Sequence, residues 1–373
     1  MANTLFDLPD IKTQGIKYAG SKLKILPGIC RLFARLPEVK VILDGFAGTT
    51  RVSQALSHLG YSVICNDIAE WSFVFGHCYL KNTKPKAEYA KLINHLNHVR
   101  PYHGWFSEHY GGKPNGGGAR QTDGLKKPFQ LHNTQKLDAI RDEIDNLNLS
   151  QMERYVALTS LVLALEKVDS TLGHYASYLK RWSERSYRNL HLDIPAMQVN
   201  EDRHEVRKGN VFDAAQNGFY DACYFDPPYG SHNQKMPPSR VRYAAYYHLW
   251  KTVILHDKPD TFGAAKRRGD SSDAEFYCPF EDFRRDKNGK NIAISAIGEL
   301  LASADCRYVV LSYSSGGAKV PEELLAVLSA AGRHYEYVNF SHHKNVMSQM
   351  RWSNEWADQR REVNHEYLFL LEK

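Results

Sequence analysis

Residues 39–67 read VKVILDGFAGTTRVSQALSHLGYSVICND, and the alternation inside this stretch decides the fold. VKVILDGFAG (39–48) reads as a strand entering a turn, TRVSQALSHLG as a helix closed by Gly60, and YSVICNDI as the next strand. That is a βαβ unit. Its turn, DGFAGTT, puts Phe46, Ala47 and Gly48 where a parallel sheet brings a ligand against the N-terminus of the following helix, and small residues there let the backbone approach closely. Only Gly45 and Gly48 are available, so the dinucleotide pattern GxGxxG is absent and phosphate binding is poorly supported. Asp67 follows the turn by about twenty residues, a position suited to the two hydroxyls of a ribose. It serves equally well as a helix N-cap before IAEWSFVF. A nucleoside-type cofactor fits this half better than a nucleotide.

A second decisive stretch is DACYFDPPYGSHN (221–233). The apolar run Ala222 to Phe225 fits a buried strand, which leaves Asp226 at the carboxyl end, where open α/β sheets place their ligands. Proline fixes its own backbone angle and drives the preceding residue out of the helical region, so two in succession freeze a loop. That loop presents one carboxylate, one proline carbonyl and the ring of Tyr229. A solvated Pro-Pro turn explains the same four residues, so the context must discriminate.

Further out, the alternation resumes near residue 205 with EVRKGNVF, YDACYFDPPY, a helix around 291–304 and CRYVVLSYSS. It ends with a helix at 321–331 and the aromatic-rich strands HYEYVNF and EYLFLLEK. Seven strands fit one mainly parallel sheet. Residues 80–204 read as an inserted, mainly helical domain that splits the sheet domain into 1–79 and 205–373. NTQKLDAIRDEIDNL and QMERYVALTSLVLALEKV are its amphipathic helices, and HYGGKPNGGGARQTDG is a Gly-rich loop expected to move. Its segment HYASYLKRWSERSYRN interleaves Lys180, Arg181, Arg185 and Arg188 with Tyr175, Tyr178, Trp182 and Tyr187. A second insertion, about 231–290, reads as basic and irregular. Upstream, IKYAGSKLKIL (16–26) gathers Lys17, Tyr18, Gly20, Ser21 and Lys22 just before a helix.

Composition bounds the function. The 373 residues are 43% hydrophobic, enough for a sizeable core, and carry a net charge of +6 with 17 histidines, which favours a nucleic-acid partner. The six cysteines show no CxxC spacing and read as reduced core residues of a cytoplasmic protein. No stretch approaches a membrane span, and MANTLFDLPD lacks the pattern of a signal peptide. No metal cluster is expected: His342 and His343 in SHHKN are sequence neighbours with no further ligand at a suitable spacing.

With these residues in hand, the sequence resembles the Dam-like DNA adenine methyltransferases of the alpha-group motif order. KYAGSK is similar to the family's N-terminal motif, DGFAGTT to its cofactor loop, CND to its ribose-binding acid and DPPYG to its catalytic loop. KLDAIRDEI, GHYASYLK and VLSYSS are similar to a branch of the family. The resemblance implies a Rossmann-like methyltransferase fold of the α/β class. It also implies S-adenosylmethionine as methyl donor, and a cytoplasmic, nucleoid-associated prokaryotic or phage protein, monomeric or weakly dimeric, with a possible restriction enzyme as companion. Cofactor-binding candidates are Tyr18, Lys22, Asp44, Phe46, Gly48, Asp67, Phe212 and Asp226, although Phe212 fits a core position equally. The family's cofactor loop usually ends in glycine. Here Thr50 stands at that place, which a turn with ordinary backbone angles would accommodate.

The expected catalytic residues are Asp226, Pro227, Pro228 and Tyr229. Adenine's amino nitrogen is a poor nucleophile because its lone pair is delocalised into the ring. Asp226 and the Pro227 carbonyl would accept its two protons and turn the lone pair toward the methyl group, while Tyr229 stacks on the base. The target base would be flipped out of the duplex. Lys180, Arg181, Arg185, Arg188, Arg240, Arg242, Lys266, Arg267 and Arg268 are the candidates for phosphate contacts. Ser312 and Tyr313 receive no role. A cytosine-amino or RNA methyltransferase, and a DNA-binding homologue without catalysis, remain alternatives.

Overall fold

The computed structural model describes residues 11–113, 119–176, 179–228, 243–272, 275–282, 284–314, 320–343 and 363–373. All seven expected strands form: β1 (Val41–Asp44), β2 (Ser62–Asp67), β3 (Glu205–Lys208), β4 (Ala222–Phe225), β5 (Tyr308–Ser314), β6 (His334–His343) and β7 (Val363–Glu372). They make one sheet in the order β6-β7-β5-β4-β1-β2-β3. Every pairing is parallel except the two made by β7. The chain order reverses between β1 and β4, and such a reversal opens a crevice outside the carboxyl ends of the strands.

Both sheet faces are buried, which explains the nearly continuous apolar runs of the central strands. Successive side chains point to opposite faces, so Leu43, Cys223 and Phe225 join one cluster while Ile42, Ala222 and Tyr224 join the other. Helices α1 (Leu26–Ala34) and α2 (Arg51–His58) cover the second face. α3 (Glu70–Leu80) follows β2. The crossover from β2 to β3 then carries α4 (Ala90–His98), α5 (Trp105–Tyr110), α6 (Leu131–Asn146) and α7 (Gln151–Glu166). α7 starts at a capping box in which Ser150 and Glu153 satisfy each other's backbone amides. On the first face lie α8 (Val211–Gln216) and, later in the chain, α11 (Ile292–Ser303) and α12 (Glu322–Ala331).

Two expectations change. The segment 80–204 does not have a core to itself: Ile140 and Leu161 share one apolar cluster with Trp71 and Phe75 of α3 and with Trp250. The second insertion is not irregular in its described part. It contains α9 (Tyr243–Tyr246), α10 (His248–Leu255) and a short pairing of Thr261–Phe262 with Arg267–Arg268. Leu249, Trp250 and Val253 of α10 are buried, and this apolar face closes the helical core. Arg141, fully buried, donates from Nε and Nη2 to the carbonyls of Val253 and Ile254 and so satisfies the end of α10. Part of the Gly-rich loop, 114–118, lies outside the described residues. None of the described helices is long and apolar enough to cross a membrane.

Candidate active site

The crevice at the β1/β4 reversal is a cavity of about 440 Å³, and Tyr18, Lys22, Asp44, Phe46, Gly48, Asp67 and Asp226 all line it. Residues from four separate motifs thus meet in one place. Gly48 takes φ 52°, and a Cβ there would stand 3.1 Å from the Tyr18 ring, so both its conformation and its neighbour require glycine. Its N–H donates to Asp67 Oδ2 at 2.7 Å, and the Ala69 N–H donates to Asp67 Oδ1 at 2.9 Å. Asp67 therefore pins the β1 loop to the end of β2, while the N-cap of α3 is Ala69. Burial raises the Asp67 pKa, and the N–H groups of Gly48, Ala69 and Ile68 oppose that rise.

Asn66, which the sequence reading passed over, donates to the carbonyls of Gly45 and Gly209 and joins the loops that follow β1 and β3. Asp44 is buried at the end of β1 and accepts from Ser53 Oγ at 2.5 Å through Oδ2. Its Oδ1 is buried with no partner among the described residues. Burial, with the nearby charges of Asp226 and Asp67, pushes its pKa up to about 7 against the lowering effect of Ser53. An unsatisfied buried acceptor on a cavity wall can accept from a donor that arrives with a ligand.

Thr50 corrects an expectation. Its backbone is left-handed, at φ 61° and ψ 13°, the conformation a glycine would adopt, and not that of an ordinary turn. A β-branched residue there is strained by roughly 1–2 kcal/mol. The strain is offset locally: the Thr50 N–H donates to the Ala47 carbonyl at 2.6 Å, and Gln54 Nε2 donates to Thr50 Oγ1 at 3.1 Å. Thr50 is buried but does not line the cavity, so its side chain leaves the ligand space open. Relief of strain and loss of packing nearly cancel in Thr50→Gly, so ligand affinity measured by calorimetry is expected to stay within about twofold of the parent. A larger loss would show that the threonine shapes the cavity.

The N-terminal motif forms a wall of the cavity, held by residues of the second insertion. Tyr18 stacks on Tyr247 with ring centroids 4.6 Å apart, and Tyr247 stacks on Trp250 at 4.5 Å. The Tyr243 hydroxyl donates to the Ala19 carbonyl at 2.9 Å, and the Ala19 N–H donates to the Tyr247 hydroxyl at 2.7 Å. Tyr243 and Tyr247 carry no motif of their own, and an aromatic-rich YAAYYHLW was their only signal. Lys22 is 5% exposed, and its Nζ lies 3.0 Å from Asp226 Oδ1 and 2.5 Å from Glu366 Oε1. Burial would lower the ammonium's pKa, but attraction by Asp226 and Glu366 outweighs it and holds the pKa above its ordinary value. Glu366 was not anticipated.

Asp226 and Pro228 line the cavity and Pro227 is buried between them in the chain. Tyr229, Arg240 and Arg242 lie outside the described residues, as does Tyr178. Phe212 does not line the cavity. It stacks on Phe280 with centroids 5.6 Å apart, and Phe280 meets Phe46 edge-on at 5.2 Å, so Phe212 supports the wall from behind.

The basic candidates divide by partner. Arg268 is 4% exposed and grips both oxygens of Asp257 at 2.7 Å, with Asp270 on its other edge. Arg185 pairs with Asp169 at 2.5 Å and donates to the Asp169 and Thr171 carbonyls. Arg267 stacks over Phe262 and donates to the Ser271 carbonyl. These three are committed to the fold. Lys266 holds a left-handed turn. Lys180, Arg181 and Arg188 are exposed, and no ion pair is seen for them among the described residues. Tyr175 belongs to the core, its hydroxyl accepting from Trp250 Nε1 at 3.3 Å. Among the described residues no group of three or more His, Cys, Asp or Glu gathers closely enough to hold a metal ion.

A mainly parallel sheet of this order, with carboxylates on its central strand ends converging on one crevice and a rigid Asp-Pro-Pro beside them, marks the class as Rossmann-like methyltransferases. The chain belongs to the D12 class N6 adenine-specific DNA methyltransferase family, whose profile matches residues 18–281. It is 25% identical over 366 residues to the type II methyltransferase M.NlaIII of Neisseria lactamica, a match that covers 96% of this chain and 99% of the relative. It is 27% identical over 330 residues to the modification methylase StsI of Streptococcus sanguinis and 23% identical over 373 residues to the type II methyltransferase M.FokI of Planomicrobium okeanokoites. These matches cover 84% and 96% of this chain, but only 46% and 53% of the relatives, so the chain spans about half of their length. The family assigns adenine N6 in DNA as the methylated group, over the cytosine and RNA alternatives.

Proposed function

We propose that this enzyme takes its methyl group from S-adenosylmethionine, held at the β1/β4 crevice, and transfers it to an adenine flipped out of a specific duplex site. The observation that carries this reading is the buried, unpartnered Oδ1 of Asp44 on the cavity wall, which suits the ammonium of the donor's amino-acid part. Asp67 accepts from the Gly48 N–H on one oxygen and the Ala69 N–H on the other, and a carboxylate so held keeps lone-pair capacity for ribose hydroxyls. When bound, the donor supplies an electrophilic sulfonium methyl. The chain's part is orientation: Asp226 and the Pro227 carbonyl accept the two amino protons and aim the nitrogen lone pair, and the prolines keep both acceptors fixed before reaction. Tyr229 stacks on the base. Lys180, Arg181 and Arg188 contact phosphates. The helical insertion carries sequence recognition. The names of the relatives favour a companion restriction enzyme, and action on DNA favours a cytoplasmic location.

The test is transfer from labelled S-adenosylmethionine to duplex DNA, single-stranded DNA and RNA, with the modified nucleoside identified by mass spectrometry. N6-methyladenine in the duplex is expected. No incorporation into any substrate, with no cofactor binding by calorimetry, overturns the reading.

Asp44 adds a pH dependence. With its pKa pushed up to about 7 by burial, the carboxyl becomes mainly neutral below that pH and then offers no charge to an ammonium. Binding therefore weakens as pH falls. S-adenosylhomocysteine carries the same ammonium, and its affinity is expected to drop roughly ten- to twentyfold between pH 7 and pH 5.5, as the ionised fraction of a carboxyl with a pKa of about 7 falls from about one half to a few per cent. Asp44→Asn should bind more weakly at pH 7 and lose this dependence. A parent affinity unchanged across that range would separate Asp44 from the ligand.

A further inference from the structure

Glu366 is the one member of the buried triad that does not line the cavity, whereas Lys22 and Asp226 both do. It reaches this place because β7 runs antiparallel: Glu366 pairs with Ser314, the last residue of β5, so the early part of β7 stands at the carboxyl edge of the other strands. The side chains of Lys22, Asp226 and Glu366 are 4%, 16% and 8% exposed. One buried ammonium is balanced by one carboxylate, and burying a second carries a desolvation cost. Stability alone does not call for it.

We propose that Glu366 is a positioning residue for methyl transfer, acting through Lys22 on Asp226. It rests on the reading that Asp226 accepts from the target amino group. Two carboxylates sharing one ammonium leave the triad with one net negative charge. Lys22 is drawn partly toward Glu366, so it anchors Oδ1 of Asp226 without neutralising that carboxylate, and Asp226 stays a strong acceptor in a fixed orientation. With Glu366 uncharged, Lys22 would turn fully to Asp226 and weaken the acceptor. Glu366 itself touches no reacting atom.

The experiment compares single-turnover transfer by the parent, Asp226→Ala, Glu366→Gln, Lys22→Met and the double variant Lys22→Met/Glu366→Gln, using duplex DNA that contains the target site. Circular dichroism checks folding. Glu366→Gln is expected to slow transfer about tenfold or more, in line with what misplacing a distant support costs. KM for DNA and the calorimetric affinity for S-adenosylhomocysteine should stay near parental values. In the Lys22→Met background the same change should have little further effect, because Glu366 acts through Lys22. Parental speed in Glu366→Gln, an equal loss in both backgrounds, or a loss confined to KM overturns the proposal. If Glu366→Gln does not fold, Glu366→Asp replaces it: charge is retained with a shorter reach, and an intermediate rate is expected, while a parental rate overturns. Transfer retained in Asp226→Ala removes the underlying reading of Asp226, and with it this inference. A dead Asp226→Ala beside a parental Glu366→Gln removes the inference alone.

Discussion

Asp226→Ala is expected to lower the rate of methyl transfer to a duplex by about a thousandfold, the upper range for removing one preorganised hydrogen-bonding group at a reacting centre. Duplex affinity should persist. The carboxylate stands at the end of β4 on the cavity wall, followed by two prolines that remove the loop's freedom to rearrange. Methylation needs an amino nitrogen whose lone pair has left the ring, and in the proposed mechanism Asp226 accepts one of its protons. The variant should also fold, because Lys22 keeps Glu366 at 2.5 Å as a partner when Asp226 is removed. Single-turnover kinetics with labelled donor, beside duplex binding by fluorescence anisotropy, measures both. Transfer near the parental rate would take Asp226 out of the mechanism.

Arg268→Met is expected to destabilise the protein by about 2–3 kcal/mol, below the 3–5 kcal/mol of a fully buried pair, because its carboxylate partners remain partly solvated. The guanidinium is bidentate on Asp257 and also meets Asp270 at 2.9 Å, while the two acids are 38% and 43% exposed. The methionine retains the apolar stem but leaves both acids without their cation. Denaturant unfolding measures the loss. The salt dependence of duplex binding should not change, whereas a lost phosphate contact would reduce its slope by about one. A stable variant with a reduced slope would return Arg268 to the DNA interface.

The N-terminal βαβ unit and the strand end that carries Asp226 were legible in sequence because each is a local pattern. Apolar alternation, a helix-closing Gly60 and the prolines after Asp226 act on their own neighbours. The resemblance in motif order also grouped Tyr18, Lys22, Asp67 and Asp226, which all line the one cavity. The conformation of Thr50 was not legible, because a threonine adopts left-handed angles only where surrounding bonds over-determine it.

The basic residues mark the limit more sharply. Lys180, Arg181, Arg185, Arg267 and Arg268 look alike in sequence, since a positive charge beside an aromatic ring carries no record of its partner. Folding separates them by delivering Asp169 to Arg185 and Asp257 with Asp270 to Arg268. Glu366 lies 344 residues from Lys22 and reaches it only through the antiparallel placement of β7. Chain-local chemistry was thus enough for strands, turns and the position of Asp226 at the end of β4. Its partner Lys22, and Glu366 beyond it, came from contacts distant in the chain, which depend on how the whole sheet is assembled and leave no periodic trace in the residues themselves.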